Sequence, residues 1–259
     1  MVLFLKIYFS SSHPNLADHI VGGVATIPHT YPWQAALVER LKMIPYCGGA
    51  LVSDLWVLTS CTCTLRTPLD HQVLLGLHDW TIDNAVGLVR RDIAQVRTTY
   101  MNCLEFCLFQ IVTHPLYGLV ALDNDIALLK LSQSCAFGPS VHFTALQCLP
   151  ALGQKIDDGV MVVGGWGPLE YDGMLSEQLL AIEVAIQAYE ICLNLYFPLL
   201  TKNMICAGLT DGGKGVCQAR DGRGCGSSGS YSSESESGSC ARATTSSRST
   251  VEGQPSDLF

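Results

Sequence analysis

Short apolar runs, separated by Gly, Pro and polar residues, recur along the chain from Ile20 to Ala207. Strands are predicted over 31–37, 46–52, 55–59, 72–77, 91–98, 125–131, 160–166, 179–186 and 204–207. Helical periodicity is weak outside 188–196. Many short strands joined by Gly/Pro turns predict an all-β fold, a sandwich or a barrel. The most informative run is Trp56-Val57-Leu58-Thr59-Ser60-Cys61-Thr62-Cys63. It is apolar, β-prone and closed by a cysteine. It reads as a buried strand ending at a short turn that presents one side chain to a cleft.

The two ends of the chain break this pattern. Residues 1–19 carry no core-forming periodicity. Met1 to Phe9 is apolar apart from Lys6 and is followed by Ser10, Ser11 and Ser12. A secretory signal normally has a longer apolar core, so a weak signal peptide and a truncated or alternative first segment both fit. At Ala219 the composition shifts. Residues 219–259 hold twelve serines, and their large apolar or aromatic side chains are Tyr231, Val251, Leu258 and Phe259. Such a Ser/Gly-rich segment buries too little apolar surface to offset its ordering entropy and is predicted to be disordered. Its block Ser232-Ser233-Glu234-Ser235-Glu236-Ser237 fits a solvated tail better than a phosphorylation target.

Composition narrows the class. A length of 259 residues suits one large domain or two packed halves, and 48% hydrophobic residues can bury a substantial core. The net charge of −8, with 15 Lys+Arg and no basic run, argues against nucleic-acid binding. No apolar run reaches the roughly 18–20 residues of a transmembrane helix. Twelve cysteines point to an oxidising compartment, hence the secretory pathway.

Ten short motifs occur in a fixed order. They are Ile20-Val21-Gly22-Gly23, Pro32-Trp33-Gln34, Cys47-Gly48-Gly49, Trp56-Val57-Leu58-Thr59, His114-Pro115-Leu116-Tyr117, Asp125-Ile126-Ala127-Leu128-Leu129, Cys148-Leu149-Pro150, Gly165-Trp166-Gly167, Met204-Ile205-Cys206-Ala207-Gly208 and Gly212-Gly213-Lys214. Each alone is weak; together, from Ile20 to about Gln218, they resemble the trypsin/chymotrypsin-like serine peptidases (peptidase S1). The resemblance implies two antiparallel β-barrels with a cleft between them. It divides the chain into a leader over 1–19, a first barrel over 20–145, a C-terminally incomplete second barrel over 146–218 and the tail over 219–259.

The same resemblance assigns positions to a Ser-His-Asp triad. Asp125 fills the aspartate position; the alternative is a turn aspartate before a strand. The histidine position is Thr62, which has no group that titrates near neutrality. His71 and His78 lie beyond the turn and are not expected to replace it. The nucleophile position falls on Asp221, and Arg220 stands where an aspartate would pair with a freed Ile20 amine. Ser227 and Ser228 lack an accompanying base. His19 precedes Ile20, so a cut after Arg or Lys is not expected there. Gly215 stands at the base of the specificity pocket in place of an acidic residue. The triad, activation pair and pocket are all degenerate.

By resemblance Cys47 pairs with Cys63, and Cys192 with Cys206. The usual partner of Cys217 is missing; Cys225 or Cys240 is a possible substitute. Met161 occupies a usual cysteine position, and Cys148 lacks its usual propeptide partner. Cys61, Cys103, Cys107 and Cys135 are extra and are expected to form further bridges or remain thiols. No second Cys pair or His cluster accompanies Cys61-x-Cys63 or Cys103-x3-Cys107, so no metal site is expected, and no cofactor is implied.

The expected function is that of a catalytically inactive serine protease homologue. Its role would be binding a protease, an inhibitor or a receptor protein. Two other readings compete: an active serine-type endopeptidase using unorthodox residues, and an alternative-frame product without selected activity.

Overall fold

The computed structural model describes residues 4–5, 23–40, 42–65, 71–83, 85, 87–98, 106–118, 123–135, 149, 156, 158–167, 174–198, 200–208 and 231–233. At 4–5, 95–98, 106–109, 195–196 and 231–233 only the backbone is described. In chain order the strands are β1 (Phe4–Leu5), β2 (Val24–Ala25), β3 (Gln34–Glu39), β4 (Pro45–Leu51), β5 (Trp56–Thr59), β6 (His71–Leu75), β7 (Val89–Asp92), β8 (Gln95–Thr98), β9 (Phe106–Phe109), β10 (Ile111–Thr113), β11 (Ala127–Lys130), β12 (Val160–Gly165), β13 (Leu180–Ile186), β14 (Met204–Ile205), β15 (Ala207–Gly208) and β16 (Tyr231–Ser233). A 3-10 turn spans Thr62–Thr64, and the helix α1 spans Tyr189–Tyr196.

The first barrel is one seven-stranded sheet in the order β10-β11-β5-β4-β3-β6-β7. Its two edges converge on the end of β11. Ile93, after β7, bridges antiparallel to Leu131, and the Ala94 amide donates to the Lys130 carbonyl at 2.8 Å. On the other side β10 pairs with β11 along Ile111–Thr113. Curling the sheet in this way removes open edges. Gly76, at φ +74°, lets the chain turn away at the end of β6.

β3 is covered on both faces. Ala35 and Leu37 join Leu51, Val57, Val73, Leu75 and Leu129 in the barrel interior. Ala36 and Val38 face the other way and pack with Leu74, Leu77, Trp166 and Leu179. Trp166 follows β12 and Leu179 precedes β13, so this second cluster is the seam between the barrels. A strand buried on both faces carries an unbroken apolar run instead of an alternating one, which is how Ala35-Ala36-Leu37-Val38 reads.

The second barrel is a five-stranded sheet, β15-β13-β12-β16, with β2 also paired to β13. Its core is Met161, Val163, Leu180, Ile182, Val184 and Ala207. Beside it α1 contributes Cys192 to a small cluster with Leu200, Met204 and Cys206. The architecture is thus all-β with two barrels.

Several expectations are corrected. The strand predicted over 91–98 is two strands, because the chain leaves the barrel at Ile93–Ala94 and enters a separate β8–β9 ribbon. The strand predicted over 204–207 splits at Cys206. β14 pairs with β1 while β15 pairs with β13, and Cys206 between them is bonded to Cys192. β9 and β10 occupy a region for which no strand is predicted; Phe106-Cys107-Leu108-Phe109 is apolar without alternation, and its partner is chosen only in three dimensions. Two terminal expectations also need amendment. Phe4–Leu5 of the leader pairs parallel with β14. Tyr231–Ser233 of the tail pairs with Met161–Val163 of β12, satisfying backbone groups that β13 leaves open on that edge.

Candidate functional site

The strand register builds the site. β5 and β11 are antiparallel, with Thr59 opposite Ala127. Three residues beyond Thr59 the chain enters the 3-10 turn; two residues before Ala127 stands Asp125. Continuing the register therefore brings Asp125 alongside the turn. The turn is held by its own hydrogen bonds. The Cys63 amide donates to the Ser60 carbonyl and hydroxyl, each at 3.2 Å. The Thr64 amide and hydroxyl both donate to the Cys61 carbonyl, at 2.9 and 2.8 Å. The Cys47–Cys63 disulfide fastens the turn to β4.

Thr62 and Asp125 are in direct contact. The Thr62 amide donates to Asp125 Oδ1 at 2.8 Å, and the Thr62 hydroxyl donates to Asp125 Oδ2 at 2.7 Å. Tyr117 Oη lies 3.2 Å from Thr62 Oγ1. A threonine hydroxyl has one proton, and here it goes to Asp125, so Tyr117 is the donor of the second bond. Both carboxylate oxygens of Asp125 are thus engaged by one residue, and the chain of donors runs Tyr117 to Thr62 to Asp125.

The protons of this cluster are held tightly. Burial raises the Tyr117 phenol above its ordinary value, and the neighbouring Asp125 charge adds to this. Next to Thr62, the buried Cys61 thiol donates to the Ile126 carbonyl at 2.7 Å. Burial, with the Asp125 charge as a smaller contribution, pushes Cys61 up from 9.0 to about 11. The nucleophilic form of a cysteine is the thiolate, so Cys61 is an inert thiol at neutral pH. Neither group offers a base near neutrality.

A prediction follows from Cys61. The folded state holds its thiol proton up to about pH 11, whereas the unfolded chain releases it near 9.0. Stability is therefore complete below about pH 9 and falls as pH rises towards 11, by about 2 kcal/mol. Urea melts at pH 8 and pH 11, compared between the wild type and Cys61→Ser, should show this extra loss in the wild type alone. Equal losses in both proteins would show that the thiol does not titrate in this way.

The remaining assigned residues fall in different places. His71 is buried on β6, where its Nδ1 lies 2.6 Å from Tyr46 Oη. The His78 carbonyl accepts the Trp166 indole N–H at 3.0 Å and the Leu179 amide at 2.8 Å, at the seam between the barrels. Thr62 Oγ1 bonds to Asp125 and Tyr117 instead. His19, Ile20, Gly215, Arg220, Asp221, Ser227 and Ser228 lie outside the described residues, as do Cys103, Cys148, Cys217, Cys225 and Cys240. Cys47–Cys63 and Cys192–Cys206 are disulfides. Cys61 and Cys135 are buried thiols. Among the described residues no group of three or more His, Cys, Asp or Glu is arranged to hold a metal ion. No helix among them is long and apolar enough to cross a membrane.

Two participants carry no role in the sequence reading. Tyr117 belongs to a recognised motif, yet its contact with Thr62 spans 55 residues. Asp123 is one of several acidic loop residues; nothing local marks its partners Thr201 and Asn203, 78 and 80 residues away.

Comparison with known proteins places this geometry. The family model described as Trypsin matches residues 20–222. The chain is 33% identical over 226 residues to mannan-binding lectin serine protease 1 of Rattus norvegicus, an alignment that covers 83% of this chain but 29% of that protein. It is 30% identical to a trypsin of Phaedon cochleariae, over 82% of this chain and 74% of that one. Against ovochymase-2 of Mus musculus the identity is 30%, over 83% of this chain and 32% of the relative. The chain thus spans under a third of the length of two of these relatives and about three quarters of the trypsin. Among solved structures, mouse neuropsin, a serine protease, superposes with a TM-score of 0.64 at 27% identity, covering 83% of each chain. Motif order, paired barrels and a family match across most of the chain agree: this protein belongs to the trypsin-like serine peptidases, family S1.

Proposed function

We propose that this chain is a catalytically inactive member of its family that acts by binding, with Thr62, Asp125 and Asp221 as vestigial triad positions. The observation that carries the reading is the Thr62–Asp125 pair. A general base must accept a proton from the nucleophile while the aspartate orients it. Here the side chain beside the aspartate is a hydroxyl that donates its own proton to Asp125 Oδ2 at 2.7 Å. Losing one triad member costs roughly 10⁴–10⁶ in kcat. On the family register, Asp221 also stands in place of the serine nucleophile and Gly215 in place of an acidic pocket base. Thr62 offers the aspartate a partner that preserves the architecture of the turn while supplying no base.

The two disulfides support a location in the secretory pathway, where such bonds persist. Relatives named as proteases support a partner from the same setting: a protease, an inhibitor or a receptor protein that recognises the family surface.

The test uses the purified full chain and a serine-reactive fluorophosphonate probe, with trypsin as positive control. No labelling is expected, and none is expected after Thr62→His, because that change restores a base without a serine nucleophile. Stoichiometric labelling of the wild-type protein at a serine would refute the proposal and favour an active enzyme with unorthodox residues.

A further inference from the structure

The loop that carries Asp125 also touches the second barrel. The Asp123 carboxylate sits between β10 and β11 of the first barrel. Its Oδ1 accepts the Thr201 hydroxyl at 2.7 Å, and its Oδ2 accepts Asn203 Nδ2 at 3.1 Å. Both donors belong to the turn between α1 and β14 in the second barrel. The same Asn203 amide reaches Asn124 Oδ1 at 3.3 Å, and the Asn124 amide donates to Asp123 Oδ1 at 3.0 Å. Asn124 adopts a left-handed backbone, φ 56°, which Asn tolerates better than most residues. That conformation separates two adjoining acidic residues with different duties. Asp123 reaches across to the second barrel, and Asp125 reaches the Thr62 turn in the first.

We infer that Asp123 is an inter-barrel latch whose closure also positions the Thr62 turn. The three consecutive residues 123–125 each hold a partner outside their own segment. Asp123 holds Thr201 and Asn203, Asn124 meets Asn203, and Asp125 holds Thr62. The Asp123 carbonyl further accepts the Gly118 amide at 3.4 Å, beside Tyr117. Releasing the Thr201–Asn203 turn removes the second-barrel donors from Asp123 and Asn124 and leaves the segment held only from its own barrel, by the Gly118 amide on the Asp123 carbonyl and the Ile126 amide on the Asn124 carbonyl. Asp125 belongs to the same short segment, so its hold on the Thr62 amide loosens with it. Separation of the barrels at this rim and loosening of the Thr62 turn are therefore one event. This coupling holds whether or not the chain hydrolyses a substrate, because it rests on hydrogen bonds and not on a triad.

A hydrogen bond inside the second barrel's own sheet, away from the latch, serves as a control. The Thr26 hydroxyl donates to the Leu179 carbonyl at 3.1 Å and links β2's segment to β13's start. It shares no residue with the latch.

Hydrogen exchange of the full-length protein, followed by peptide mass spectrometry, tests the inference. For Asp123→Ala, exchange is expected to accelerate about tenfold in peptides covering both 60–65 and 200–206, as local opening becomes easier by two lost hydrogen bonds. Peptides from β3 and β6 should remain protected. Asp123→Asn keeps a carbonyl acceptor and should give a smaller acceleration in the same two peptides. Thr26→Val should leave both unchanged. Acceleration at 200–206 alone would overturn the inference, since the tie would then be local. Uniform acceleration across β3 and β6 as well would also overturn it, since it would report global destabilisation.

Discussion

Gly49→Ala is expected to cost about 3 kcal/mol or more and to lower the melting temperature by roughly 10 °C. Gly49 lies in β4 where that strand meets β5. A Cβ there would stand 2.7 Å from the Leu58 carbonyl oxygen and 2.9 Å from Val57 Cγ1. The oxygen is part of the ladder and cannot yield without breaking it, and Val57 is fully buried in the barrel core. The glycine of Cys47-Gly48-Gly49 is thus required by a close approach of two strands. Gly118→Ala provides the contrast. Nothing lies within 4 Å of its would-be Cβ, but its φ is +76°, so the same methyl should cost only about 1–2 kcal/mol through backbone strain. Thermal melts of the two variants side by side check the ranking. A Gly49→Ala protein melting above Gly118→Ala would contradict the packing of β4 against β5.

Removing the Cys47–Cys63 disulfide by a paired Cys47→Ala, Cys63→Ala change is expected to cost about 3 kcal/mol, from loss of a cross-link across a sequence separation of 16. The effect should reach the site. Cys63 is the middle residue of the 3-10 turn that begins at Thr62, and the disulfide ties this turn to β4. With the tie gone, hydrogen bonds are left to hold the turn, its own and those from Thr62 to Asp125, and such bonds contribute only about 1 kcal/mol each. Urea unfolding should show the lowered midpoint, and solvent exchange should rise over 60–65 before the β3–β6 core opens. A loss below about 1 kcal/mol would mean that packing around the turn, and not the disulfide, holds it.

The strands were legible where burial dictates composition. Val160-Met161-Val162-Val163 and Ala127-Leu128-Leu129 read as strands because sheet positions facing a core select such residues. β9 and β10 were missed because unbroken apolar residues around Cys107 and Ile111 do not announce a ribbon followed by a barrel strand. The tail was predicted without structure from its serines, yet Tyr231–Ser233 pairs along β12. Composition measures the burial a segment can achieve by itself, not the open edge another strand offers it.

Sequence alone determined the family, the all-β class and the identity of the residue at each assigned position. Those follow from local chemistry and motif order: a threonine at position 62 cannot be a base in any fold. Only the tertiary structure decided what that threonine does instead. The register of β5 against β11 brings Asp125 to the turn, and Thr62 engages both of its oxygens. Tyr117 completes the chain of donors, and Asp123 joins the other barrel. These contacts link residues 55 to 80 positions apart. Hydrogen-bond geometry over such separations is set by how the barrels close and meet, and no pattern along the chain encodes it locally.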